Sequence, residues 1–203
     1  MAITTTSTKT TSAEISTKAA RKTPGRRVGK LAGALALAAS ALVAAPGLSG
    51  TAQAAVPVLS DGFEFPSTVW SFTQSGSGFG FVDNAPAEAH TGSKSALLGM
   101  FGAGFSSVGR NVNLLPSAST CTASAFIAPR FSATKQINFE VIDPSNFHYI
   151  ALKSIKTNGV GPYQFHTVSW AKNRNNVLLR FSLIGEAGQT TRARVDDVAV
   201  SCS

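Results

Sequence analysis

Carboxylates are scarce in this chain, ten in 203 residues, and two of them stand side by side at Asp196 and Asp197. They open a stretch, Val195-Asp196-Asp197-Val198-Ala199-Val200-Ser201-Cys202, whose remainder alternates apolar and small residues as a half-buried strand does. Burying unpaired carboxylates costs several kcal/mol, so such a pair must be hydrogen-bonded, ion-paired or bound to a cation. The same stretch carries Cys202, one of only two cysteines; the other is Cys121. Val198, Val200 and Cys202 fall on one strand face, because successive side chains alternate across a strand. The last strand can therefore tie the chain together: core on one face, a bridge to Cys121, and an acidic pair at its mouth. We expect it to close a sandwich opened by the first strand.

The residue types needed for catalysis do not converge. The three histidines, His90, His148 and His166, are isolated, and neither His-Glu-x-x-His nor Gly-x-Ser-x-Gly occurs. Glu140 and Asp143 are neighbours across a turn rather than an evident acid and base. Gln164 and His166 share a strand face, a loose likeness to jelly-roll alginate lyases whose Arg and Tyr motifs are absent around it. Gly76-Ser77-Gly78-Phe79-Gly80 has no following lysine or helix and is expected to be a flexible loop rather than a phosphate cradle. The expectation is a non-enzyme.

The elements that position these residues begin after a leader. The formal charge is +8, yet seven basic residues and only Glu14 precede residue 31, leaving 11 basic and 9 acidic residues in the rest. A nearly neutral remainder has no electrostatic reason to seek phosphates, which argues against nucleic acid. Residues 31–45 are uncharged and rich in Ala, too short to span a bilayer and suited to a signal-peptide core. Pro46-Gly47 ends that run, and Ala52-Gln53-Ala54-Ala55 supplies a cleavage site after Ala54 or Ala55. The division is thus a secretory signal over 1–55, in the style of an actinobacterial leader, and one domain over 56–203. Arg26-Arg27 reads as ordinary leader charge on the general secretion route. Export favours pairing Cys121 with Cys202. Closing a loop of roughly 80 residues in this way stabilises by about 4 kcal/mol in the chain-entropy model.

After residue 55 no helical repeat is sustained, and period-two runs bounded by turn residues recur. Strands are expected over 58–65, 69–73, 95–99, 107–114, 121–128, 137–141, 147–155, 163–171, 177–183 and 195–202, with loops over 74–80 and 83–92. Asp143-Pro144-Ser145-Asn146 and Asn158-Gly159 mark reversals. Val177, Leu179, Phe181 and Leu183 make the cleanest core face, opposed by Arg180 and Ser182. Gly62 predicts a bulge or a close backbone approach. The class is all-β, a two-sheet antiparallel sandwich or jelly roll whose closure protects its edges. Nine to eleven strands are expected.

Several segments, in order, resemble one family. They are Asp61-Gly62-Phe63-Glu64, His90-Thr91-Gly92-Ser93-Lys94-Ser95-Ala96-Leu97, the 108–114 strand ending at Pro116, Cys121-Thr122-Ala123-Ser124-Ala125, Thr167-Val168-Ser169-Trp170, and Val195-Asp196-Asp197-Val198. Together they resemble the jelly-roll carbohydrate-binding modules of families four, nine and twenty-two, although Cys121 stands where that family usually has an aromatic. The resemblance implies a non-catalytic module that binds a polysaccharide or oligosaccharide; with the leader it is expected to be secreted and extracellular, a monomer, and, as the chain ends at Ser203 with no linker after the domain, any enzyme partner is expected on a separate chain. It implies a structural calcium held by Glu64 and Asp197, with Asp196 and Asp61 in reserve, since calcium takes six to eight hard oxygens. For the sugar it implies aromatic faces and polar edges. The candidates are Trp70, Tyr149, Tyr163 and Arg180; Trp170 is expected to pack in the core. The alternatives are an extracellular structural or adhesion domain without a sugar site, and a small polysaccharide lyase.

Overall fold

A computed structural model describes residues 54–65, 69–130, 135–157 and 159–203. Of the signal-peptide expectation over residues 1–55, residues 1–53 lie outside the described residues, as does the turn residue Asn158. Eleven strands and one short 3-10 turn (Pro86–Glu88) are present among them: β1 Val56–Asp61, β2 Ser71–Gln74, β3 Gly78–Asn84, β4 Lys94–Phe101, β5 Gly104–Asn113, β6 Thr120–Pro129, β7 Lys135–Ile142, β8 Tyr149–Thr157, β9 Gln164–Ala171, β10 Asn176–Gly185 and β11 Thr190–Cys202. No helix among these residues is long and apolar enough to cross a membrane.

The strands form two antiparallel sheets. One runs β3-β4-β11-β6-β9 with β1 added beside β11, and the other runs β2-β5-β10-β7-β8. The central strands bury one face, as their alternation dictates: Val177, Leu179, Phe181 and Leu183 of β10 are fully buried and meet Ile137, Phe139 and Val141 of β7. The Phe139 and Phe181 rings lie 4.5 Å apart between the layers. This all-β sandwich is the expected architecture, and a full inter-sheet core holds it.

The long last strand organises the six-stranded sheet. Its first half pairs with β4 and its second half with β1, so that Asp61 faces Val198 and Val56 faces Cys202. Along its other edge it pairs with β6, which sets Cys202 directly opposite Cys121, and the two are joined as a disulfide. The register slips between Asp196 and Ala199, and Asp197 takes a left-handed backbone (φ +46°). This bulge turns the two adjacent carboxylates out of simple alternation, as bulges re-aim side chains. One strand departs from the sequence pattern: β3 occupies part of the stretch expected as glycine-rich loop. Phe79 and Phe81 supply an alternation that the glycines mask, and pairing of 78–84 with 94–100 of β4 overrides the weak strand propensity.

Candidate functional site

The outward face of the five-stranded sheet carries a groove. Register places Ser107, Gly109 and Asn111 of β5 beside Ser182, Arg180 and Leu178 of β10, and these beside Asn138, Glu140 and Ile142 of β7. Glu140 is only 1% exposed although it lies on this outer face. Its Oε2 accepts from Arg180 Nε at 2.5 Å and from Ser182 Oγ at 3.1 Å. A buried carboxylate answered in this way fixes the guanidinium, while Arg180 keeps 29% of its side chain in solvent. Toward β2, a hollow of about 470 Å³ opens between Ser71, Thr73, Asn111, Leu178 and Phe147. Toward β8, a smaller hollow of about 240 Å³ runs from Arg180 past Asn138 to Tyr149. Arg180 lines both, so the two hollows form one track across the sheet.

Two aromatics stand on this track, Phe147 and Tyr149, 66% and 54% exposed. Phe147 is set by the turn over residues 143–148. There Ser145 N and Oγ donate to Asp143 Oδ1, Phe147 N donates to the Asp143 carbonyl, and Asp143 N donates to the His148 carbonyl. Phe147 has φ +60°, a conformation that a bulky residue adopts only when its surroundings impose it. The groove thus combines apolar rings with a charged donor, amides and hydroxyls. That is the chemistry for a ligand with apolar faces and hydroxylated edges.

The acidic corner at the bulge is built differently. Glu64, Asp196 and Asp197 converge around Gly62, where a Cβ would stand 3.1 Å from Asp197 Oδ1 and 3.7 Å from Asp196 Oδ1; the expected close backbone approach is found here. Their oxygens are taken by the segment over residues 90–94. Ser93 N and Lys94 N donate to Glu64 Oε1 and Ser93 Oγ to Oε2, while Lys94 Nζ donates to the Glu64 carbonyl. His90 N donates to Asp196 Oδ2, and Asp197 N donates to Asp196 Oδ1. Thr91 Oγ1 donates to Asp197 Oδ1, and His90 Nδ1 lies 2.6 Å from Asp197 Oδ2. Gly92, at φ +67°, leaves room for Glu64: a Cβ there would fall 2.3 Å from Oε1.

These contacts set the charge of each group. Hydrogen bonds from the Lys94 and Ser93 backbone hold the Glu64 carboxyl below its ordinary range. Burial pushes Asp196 up to about 6, against the N–H donors of His90 and Asp197. A calcium cage needs oxygens facing a common centre, whereas these face N–H and O–H donors. Among the described residues no group of three or more His, Cys, Asp or Glu side chains is arranged for a metal ion. As placed, the oxygens of Glu64, Asp196 and Asp197 are answered by protein donors. Asp61, the other reserve ligand, accepts from Phe63 N, Trp70 Nε1 and Arg110.

The four sugar-contact candidates separate. Tyr149 and Arg180 lie together on the groove. Trp70 does not: it is 5% exposed, packs on Phe63 at 5.0 Å, and its Nε1 is spent on Asp61. Tyr163 is placed beside the other sheet, its hydroxyl donating to the Glu88 carbonyl and its ring under the Arg130 guanidinium. Its phenol is a fastening rather than a platform. Gln164 and His166 sit on β9 in that same sheet, away from the groove. Glu140, Asn138 and Phe147 were not among the expected groove residues. Alternation carries a signal for the first two, since they oppose Ile137 and Phe139 on β7; Phe147 depends on turn geometry.

No protein-family model and no curated protein sequence matches the chain. Solved structures do share its fold. The CBM22-1 xylan-binding domain of Paenibacillus barcinonensis Xyn10C superposes with a TM-score of 0.51 at 16% identity, over 74% of this chain and 97% of that one. The CBM22-1-GH10 modules of Clostridium thermocellum Xyn10B, complexed with xylohexaose, give 0.50 at 15% identity, over 72% of this chain and 28% of that one. At such identities the likeness establishes the fold: a jelly-roll β-sandwich of the type found in carbohydrate-binding modules.

Proposed function

We propose that this protein is a non-catalytic carbohydrate-binding domain whose oligosaccharide or polysaccharide ligand lies along the groove of the five-stranded sheet. The observation that carries the proposal is the track through Arg180. It is a single furrow anchored by the buried Glu140, with polar donors along its floor and exposed aromatics at Phe147 and Tyr149. Sugar rings stack an apolar face on such aromatics, and their vicinal hydroxyls take hydrogen bonds from guanidinium, amide and hydroxyl groups. Two solved structures with this fold are a xylan-binding domain and a module pair complexed with xylohexaose, which supports a glycan as the ligand class. The groove offers no carboxylate pair free for acid and base roles, because Glu140 is held by Arg180 and Ser182.

Secretion is part of the proposal and rests on the leader. Protein recovered from the medium should begin at Ala55 or Val56 by N-terminal sequencing; recovery only of the intact chain inside the cell would end it. The runner-up is an extracellular adhesion domain. It is favoured by the exposed Phe81 and Phe101 beside Phe79 on the opposite sheet. Calorimetric titration with soluble oligosaccharides and pull-down on insoluble wall polysaccharides separate the two. The glycan reading expects binding that Arg180→Ala weakens by about tenfold or more, and absence of binding across the panel would hand the case to adhesion.

A further inference from the structure

A second hollow, also about 470 Å³, lies behind the turn over residues 143–148. It sits where the outer edge of β8 meets the outer edge of β9, so that both sheets present an edge strand to it. The turn is a partition between the two cavities. Phe147 lines the groove, whereas Asn146 and His148 line the edge cavity. Tyr149, immediately after, lines both the edge cavity and the groove's hollow toward β8, so the two spaces share a wall.

The polar content of this cavity is not that of a plain surface dent. Asp143 and Arg174 meet across it at 2.5 Å, and Arg174 also donates to Ser145 Oγ. Asp143 is almost wholly buried, while 42% of the Arg174 side chain stays exposed, so guanidinium donors remain available. Burial raises the Asp143 carboxyl, but the donors from Ser145 and the Arg174 charge outweigh it and hold it below its ordinary range. At neutral pH the pair is therefore a rigid zwitterion with no net charge. Trp170, from β9, lines the cavity and is otherwise a core residue, and its indole Nε1 is buried without an acceptor. Buried Trp N–H groups ordinarily find a partner, and this one meets no acceptor among the protein's own atoms.

We propose that this edge cavity is an end subsite that takes the terminal sugar residue of a chain whose next residues lie over Tyr149 and Arg180 in the groove. The proposal rests on the groove's being a glycan site. A neutral, hydroxyl-rich ring matches the neutral ion pair, the amides and imidazole of Asn146, Asn173 and His148, and the exposed Tyr149 ring. An anionic or purely apolar ligand matches none of these as well. End recognition sets the substrate class: the free ends of short or cut chains, in preference to unbroken polymer.

The chain has two tryptophans, so the indole N–H region of a proton–nitrogen correlation spectrum carries one peak for Trp70 and one for Trp170. Titration with hexasaccharides of xylose, glucose and galactose should move the Trp170 peak and leave that of Trp70. In Arg174→Ala and His148→Ala, hexasaccharide affinity should fall by about tenfold, and long insoluble polymer should bind as before. If groove amides of β5 and β10 shift while the Trp170 indole stays put, or if both variants bind hexasaccharide normally, the end subsite is overturned and the groove stands. If no hexasaccharide perturbs either region, both fall.

Discussion

Two acidic regions of this molecule use the same side chains to opposite ends. At the closing corner, Glu64, Asp196 and Asp197 are met by backbone N–H groups, a serine, a threonine and a histidine of a single segment. In the groove and at its edge, Glu140 and Asp143 are each met by an arginine that is itself part-exposed. Carboxylates satisfied by short-range, inward donors lock a junction of strands. Carboxylates that hold an arginine aim a cationic donor at solvent, and a ligand can use it. The difference lies in the partner's exposure rather than in the acid.

Experiments can break or sharpen this contrast. The largest effect belongs to the junction's covalent tie: reducing Cys121–Cys202 should lower unfolding stability by about 4 kcal/mol in urea titrations, while groove binding persists at temperatures where the reduced protein is still folded. Glu64→Ala should cost about 2 kcal/mol, because it orphans several donors, and leave oligosaccharide affinity unchanged; Arg180→Ala should lose affinity and stability together, because it leaves the buried Glu140 carboxylate without its cation, whereas Arg180→Ala combined with Glu140→Gln should lose affinity with a smaller change in stability. If Glu64→Ala abolished binding and Arg180→Ala did not, the assignment of roles would be inverted.

The corner also has a pH signature with two opposing parts. Glu64 is held below its ordinary 4.5, so its contribution is present above that value and lost as the pH falls. Asp196 is raised from 3.8 to about 6, so its contribution is present at the acid end and lost as the pH rises through about 6. For these two groups unfolding free energy should therefore be greatest near about 4, between the ordinary values 3.8 and 4.5, and should fall as the pH rises to about 6, where carboxyl NMR should find Asp196 titrating. A carboxyl titrating near 3.8 at Asp196 would remove that part. The smallest effect concerns calcium. Millimolar calcium or a chelator should change the melting temperature by less than about 1 °C, because protein donors already answer these oxygens. A rise of several degrees that Asp197→Ala erases would restore the cation to the corner.

Much of this organisation is legible along the chain. Alternation marks nearly every strand, the cysteine count and the compartment implied by the leader point to one disulfide, and the adjacent Asp196 and Asp197 mark a special place in the last strand. Arg180 and Tyr149 are recognisable groove residues because they oppose apolar neighbours or follow a turn. What misled was residue type read without position. Trp70 and Tyr163 have the right chemistry for a sugar platform, but Trp70 is drawn into the core by Phe63 and Asp61, and Tyr163 is fastened to the Glu88 carbonyl.

The sequence by itself determined the class of fold, since a period of two with turn punctuation permits little besides a sandwich, and it determined which faces are buried. Only the tertiary structure decided what each polar group meets. The β11 bulge and the 90–94 segment turned a cation-like acidic pair into a closed hydrogen-bonded junction. The neighbouring registers of β7 and β10 put Glu140 under Arg180. The physical reason is that alternation is a local property of the chain, whereas the partners of a carboxylate come from strands and loops tens of residues away, fixed only when the sheets pair.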